Sequence, residues 1–124
     1  MRHAMVSAST ALGDTTKTSI GDITLPTGAK RVIGVWGHGI GGPGNTTLEN
    51  VTGILELEST SLNLAPMQFP LDCLVITGTG MQTLSRKVWP VDWPNVANAT
   101  ITGYMTLDMA QTLANTGRWG LIYE

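Results

Sequence analysis

From Thr100 to Leu107 the chain alternates: Ile101, Met105 and Leu107 fall on one side, Thr100, Thr102, Tyr104 and Thr106 on the other. Successive side chains of an extended strand point to opposite faces, so this pattern demands a strand with one dry face and one wet face. The signature returns at Val51–Glu58, where Val51, Leu55 and Leu57 are set against Thr52, Glu56 and Glu58. It returns again at Arg118–Tyr123, with Trp119, Leu121 and Tyr123 on one face. A half-dry strand is stable only when its dry face meets another layer. The chain must therefore build sheets that pack face to face.

Further β-branched runs fill in the remaining strands. Ala4–Thr10 is a first strand, and Thr18–Leu25 a second that stops at the turn signal Pro26-Thr27-Gly28. Arg31–His38 is apolar on both faces, with Ile33 and Val35 against Val32 and Trp36, as for a strand covered on both sides. Leu71–Thr77 reads as a central strand and Gln82–Val88 as a more polar one. Gly37–Asn45, with five glycines and a proline in nine residues, reads as a loop. Asp108-Met109-Ala110-Gln111 offers a cap for a short helix over 109–116, which Gly117 would stop. The fold class expected is all-β: one domain over 1–124, an eight-stranded antiparallel β-sandwich, with a jelly roll the natural choice. No crossover helices are available for an alternating βα fold.

Composition narrows function. Charged residues make up 13% of the 124, about half the ~25% usual for soluble domains. Threonine (18) and glycine (15) take their place. A net charge of −2 disfavours direct contact with nucleic acid through a basic surface. Cys73 alone forms no disulfide framework. No run of apolar residues is long enough to span a membrane as a helix, and Met1–Ser7 lacks the apolar core of a signal peptide. Few charges keep copies apart, so such a surface suits a protein covered in an assembly. A Thr-rich secreted β-domain has the same composition.

Candidate chemistry is sparse. Gly37-His38-Gly39-Ile40-Gly41-Gly42 matches G-x-G-x-x-G, but Pro43-Gly44-Asn45 follows where a dinucleotide site needs a helix. His3 and His38 have no paired ligand spacing, so no metal or cofactor is expected. Cys73 sits in an apolar run, where it acts as a small hydrophobe. Glu56 and Glu58 share what reads as an exposed strand face, with nothing to separate their pKa values. The chain is not expected to be an enzyme. Asn45, Asn50 and Asn98 head formal glycosylation sequons that no signal peptide supports. Met67–Phe69, between Pro66 and Pro70, is core edge or interface. Trp89-Pro90-Val91-Asp92-Trp93-Pro94 is the most unusual segment. Its prolines cannot donate to a ladder, so it is an edge or an extended linker. Trp89 and Trp93 are either an aromatic patch for a partner or lids over the core.

In its run Val51–Glu58, its glycine-rich stretch Gly37–Gly44, its segment Trp89–Pro94 and its late pair Thr100–Leu107 and Arg118–Tyr123, the whole chain resembles the small jelly-roll capsid and decoration proteins of viruses. The resemblance implies a structural protein made in a host cytoplasm and resident in the virion, as decoration, cement or minor or major capsid protein. Its partners would be copies of itself and other capsid proteins. A basic arm for the genome is missing. The expected contact residues are Trp36, His38, Ile40, Trp89 and Trp93, and on this reading Trp93→Ala weakens assembly while the isolated domain still folds. The alternative is a carbohydrate- or ligand-binding β-sandwich whose tryptophans stack on sugar rings.

Overall fold

A computed structural model describes residues 1–9, 16–41, 53–62, 64–75, 88–108 and 116–124. They form eight strands: β1 (Arg2–Ser9), β2 (Thr18–Thr24), β3 (Arg31–Gly41), β4 (Gly53–Ser59), β5 (Leu64–Val75), β6 (Trp89–Pro94), β7 (Thr100–Leu107) and β8 (Thr116–Tyr123). The ladders nest: β1 pairs β8, β2 pairs β7, β3 pairs β6 and β4 pairs β5, all antiparallel. Two more antiparallel ladders, β3 with β8 and β4 with β7, complete the sheets. One sheet runs β1-β8-β3-β6 and the other β2-β7-β4-β5. The first and last strands are thus partners, Arg2 opposite Tyr123 and Ser9 opposite Thr116.

Two departures from the expected sandwich concern β5 and β6. After Leu71 the strand β5 leaves β4 and joins the other sheet, where Asp72–Val75 run parallel to His38–Gly41 of β3. One ladder is therefore parallel. The sixth strand among the described residues is Trp89–Pro94, for which the sequence predicts an edge or an extended linker; of the expected strand Gln82–Val88, 82–87 lie outside the described residues and Val88 lies just before β6. Prolines forbid only donation to a ladder, and β6 is an edge that pairs with β3 alone among the described residues. β5 carries the same device, Pro66 and Pro70, where it forms the edge beside β4. At the opposite side of the sandwich β1 and β2 run close together without a ladder.

The expected loop at Gly37–Asn45 is corrected in part. Gly37–Gly41 continue β3, with Gly37 opposite Trp119 and Gly39 opposite Gly117; 42–50 lie outside the described residues. A glycine run stays extended when ladders hold it on both sides, and β8 and β5 do so here. Of the expected helix over 109–116, residues 109–115 lie outside the described residues and Thr116 begins β8. There is no helix among the described residues.

The core forms where the dry faces meet. β7 buries Ile101, Gly103, Met105 and Leu107, and β4 buries Leu55, Leu57 and Ser59, as alternation requires. Ser59 donates to the Thr100 carbonyl at 2.7 Å, which satisfies its buried hydroxyl. Trp119 reaches from β8 across the core to β7. A Cβ built on Gly103 would lie 2.5 Å from its ring, so the indole occupies the space a side chain at 103 would need. Its Nε1–H donates to the Ile20 carbonyl of β2 at 3.3 Å.

Two bulges break the period and keep the core filled. Between Ser19 and Asp22, β2 advances three residues while β7 advances two, and Gly21 there has φ 103°. Ile20 and Ile23, three apart, consequently both face the core. Between Val32 and Gly34, β3 advances two residues against one on β8, so Val32 and Val35 share the core face. Ile33 and Val35 are therefore not the facing pair that strict alternation predicts.

These contacts set two expectations. Gly103→Ala forces the Trp119 ring aside and lowers stability by about 1–3 kcal/mol in denaturant melts. Gly28→Ala, where a Cβ meets nothing within 4 Å, leaves the midpoint within about 0.5 kcal/mol of the parent.

Candidate interaction surfaces

The two outer faces of the sandwich differ in chemistry. The outer face of the β1-β8-β3-β6 sheet is apolar around Trp36 and carries an ion pair, Arg31 with Asp92 at 3.5 Å, where β6 joins β3. In β8, Trp119 and Leu121 enter the core, so Gly120 and Ile122 between them face outward. Trp36 lies opposite Gly120, and a Cβ at 120 would sit 2.6 Å from its ring. The indole thus lies flat on the outside of the sheet, yet is only 2% exposed. One neighbour over it is His3 of β1, with ring centroids 5.4 Å apart. Trp36 Nε1–H donates to His3 Nε2 at 2.7 Å. Val88 and Ile122 cover Gly34 in the same way. Met5, opposite Gly120 across β1–β8, is 58% exposed, and Val88 is 44% exposed. Arg118 is the exposed cation of this face on β8.

The outer face of the β2-β7-β4-β5 sheet is polar and internally paired. Tyr104 of β7 sits between Ser19 of β2 and Glu56 of β4. The Lys17 ammonium lies 4.2 Å from the Tyr104 ring centre, in salt-bridge contact with Glu56 and 3.8 Å from Glu58. Gln68 of β5 donates to Glu56 at 3.2 Å. The hydrogen bond from Lys17, then that from Gln68, holds the Glu56 carboxyl below its ordinary range. The Glu56 bond raises the Lys17 pKa. A hydrogen bond to Glu58, with desolvation, raises that of Tyr104. Thr24 and Thr100 extend the network at 2.9 Å. With Lys17 positive and Glu56, Glu58 and Asp22 negative, the face is acidic; Glu56 and Glu58 both contact Lys17, Asp22 is exposed, and Ile54 of β4 is an exposed apolar side chain among them.

The three tryptophans singled out from the sequence do not share one face. Trp93, opposite Val32, is 7% exposed and belongs to the core. Trp89, opposite Val35, is half-buried and packs against the same core. Both indoles therefore cover the interior from β6. Trp93→Ala is a core truncation, which costs about 3–5 kcal/mol in such sites, so the isolated domain is not expected to fold undisturbed. Trp36 lies on the other face of the sheet, under His3. His38 is opposite Arg118 and Asp72, and Ile40 opposite Thr116 and Leu74; their side chains lie outside the described residues.

Two features went unread in the sequence. Met5 and Val88 belong to no alternating run of obvious polarity. Lys17 reaches Glu56 only because β7 carries Tyr104 between their strands. Glu56 and Glu58 on one face were legible; that one carboxylate holds two donors was not. Among the described residues no group of three or more His, Cys, Asp or Glu is placed to hold a metal ion, and no helix is long and apolar enough to cross a membrane.

Comparison of the chain with protein-family models, with characterised proteins and with solved structures finds no match.

The polar cluster gives a pH signature. Glu56 binds its proton less readily in the folded chain than in the unfolded one. Its contribution is present above the unfolded carboxylate pKa and is lost as pH falls through the lower, folded value. Urea midpoints measured between about pH 3 and 7 should rise with pH, and Glu56→Gln should flatten part of that rise. An unchanged pH slope in the variant would mean that Lys17 and Gln68 do not hold the charge.

Proposed function

We propose that the chain is a jelly-roll structural protein of a viral particle, acting through contacts with copies of itself and with other capsid proteins. The observation that carries the reading is the nested pairing, β1 with β8 through β4 with β5, rolled into sheets β1-β8-β3-β6 and β2-β7-β4-β5. One long antiparallel hairpin wrapped on itself gives that order, and eight-stranded rolls of this kind build viral capsids. They also build lectins. The sugar-stacking alternative draws no support from the tryptophans: stacking needs an open indole face, whereas Trp36, Trp93 and Trp119 are buried and Trp89 is half-buried.

Edges and faces assign the kind of contact. Prolines at the free edges of β5 and β6 disfavour strand addition there. The exposed apolar side chains Met5 and Val88 rise from the outer face of the β1-β8-β3-β6 sheet. Burial of that face under a neighbour removes apolar area from water, worth about 25 cal/mol per Å² before the cost of association. The protein of this reading is made in the host cytoplasm, resides in the virion and performs no reaction.

The test is the native mass of the untagged protein from its natural source, by sedimentation. Co-migration with a megadalton particle is the expected result; a free monomer overturns the reading. Met5→Glu combined with Val88→Glu should leave the isolated chain's thermal midpoint nearly unchanged, because both side chains are exposed, and should abolish incorporation into the particle. Normal incorporation would move the contact elsewhere.

A further inference from the structure

We propose that the hydrogen bond between His3 and Trp36 is an acid-sensitive latch that fastens β1 to the outside of its sheet. An indole N–H only donates, so the imidazole nitrogen that faces it at 2.7 Å must carry a lone pair. The hydrogen bond therefore requires the His3 tautomer that carries its proton on Nδ1. Histidine is the side chain whose charge ordinarily changes between about pH 5 and 8. Protonation of Nε2 turns two donors toward each other. The indole N–H of Trp36, on a side chain only 2% exposed, loses the His3 acceptor, and the side-chain tie between β1 and β3 is broken.

The position of His3 gives this exchange a mechanical consequence. β1 has one ladder, to β8, and lies beside β2 without pairing to it. The side-chain bond from His3 bypasses β8 and ties β1 directly to β3, two strands away. The imidazole is exposed, so it exchanges protons with water without prior unfolding. The charged and titratable groups around it are the following. Its own strand carries Arg2 and the Met1 amino group. β8 carries Arg118 and Tyr123, with Glu124 beyond its end; β3 carries Arg31, paired with Asp92 of β6, and His38, opposite Arg118. β2 carries Asp22, and Lys17 just before it is engaged with Glu56 and Glu58. No ion pair reaches His3 among the described residues, so no carboxylate is in place to hold the imidazolium where it stands. The latch belongs to the single chain and does not rest on assembly into a particle.

The test is nitrogen-15 NMR on the intact chain, with the Trp36 indole signal assigned by its loss in Trp36→Phe. At pH 8 the His3 ring should show the tautomer protonated on Nδ1. On acidification the Trp36 indole signal should shift together with the His3 ring signals. Hydrogen exchange of the β1 amides should quicken roughly five- to thirty-fold beyond the intrinsic effect of pH. His3→Gln keeps a neutral acceptor at a similar reach and does not titrate, so it should abolish the acid response and keep β1 protected. A ring protonated on Nε2 at pH 8, or a Trp36 signal indifferent to the His3 titration, overturns the proposal. So does an equal acid response in His3→Gln. If that variant does not fold, the two wild-type readings decide alone.

Discussion

The sandwich depends on one side chain that crosses it. Trp119 starts in β8 and ends against β7, where Gly103 leaves room for the indole, and its N–H finds the Ile20 carbonyl of β2. Three strands from both sheets are fixed by a single residue. Its nonpolar rings fill the interior, and its polar atom is satisfied on the far side. Gly117 repeats the arrangement on a smaller scale, since a Cβ there would meet Ile20 and Met105 of the facing sheet at 3.0–3.3 Å. Close-packed interiors tolerate little change of volume, so these glycines set how near the two sheets approach. The bulge at Gly21 serves the same joint. It turns Ile20 as well as Ile23 inward while the Ile20 carbonyl meets the indole.

Which parts of this were legible in the sequence follows from what alternation can encode. β4, β7 and β8 obey a period of two and carry their core face in plain order, so Leu55, Leu57, Ile101, Met105, Leu107, Trp119, Leu121 and Tyr123 all lie where the pattern puts them. β2 and β3 do not, because an inserted residue shifts their phase; the isolated glycines Gly21 and Gly34 are the signal for these bulges, and a reading by strict alternation passes over them. The glycines misled for a related reason. In isolation Gly37–Gly41 is a breaker; between two ladders it is a strand. The tryptophans were ambiguous in principle, since burial and partner recognition both favour large aromatic residues. Only the pairing of Trp93 with Val32, and of Trp36 with Gly120, separates a core residue from one laid on the outer face.

The same indole-on-glycine packing appears outside the core, and there it has a different meaning. Trp36 on Gly120 gives the β1-β8-β3-β6 sheet a second apolar layer, one side chain thick, roofed in part by His3. The opposite outer face took the other course: threonines, a tyrosine and paired charges that meet water directly. The division is one of degree: Met5 and Val88 are exposed on the first face beside Arg118 and the Arg31–Asp92 ion pair, and Ile54 of β4 is exposed on the second.

Faces and edges then point the same way. An edge strand with unpaired backbone groups invites another strand, and any neighbour would attach there first. β5 and β6 close that route with two prolines each, at spacing four, and β1 and β2 shield one another. What is left for a neighbour is a face. Of the two faces, the polar one holds Lys17, Glu56 and Glu58 in contact with one another, so covering it would strip water from groups that gain no new partner. The apolar one loses little water that it binds well. On the proposed reading a neighbour meets the layer over Trp36, and β1, which borders that layer, is the strand fastened by the His3–Trp36 hydrogen bond.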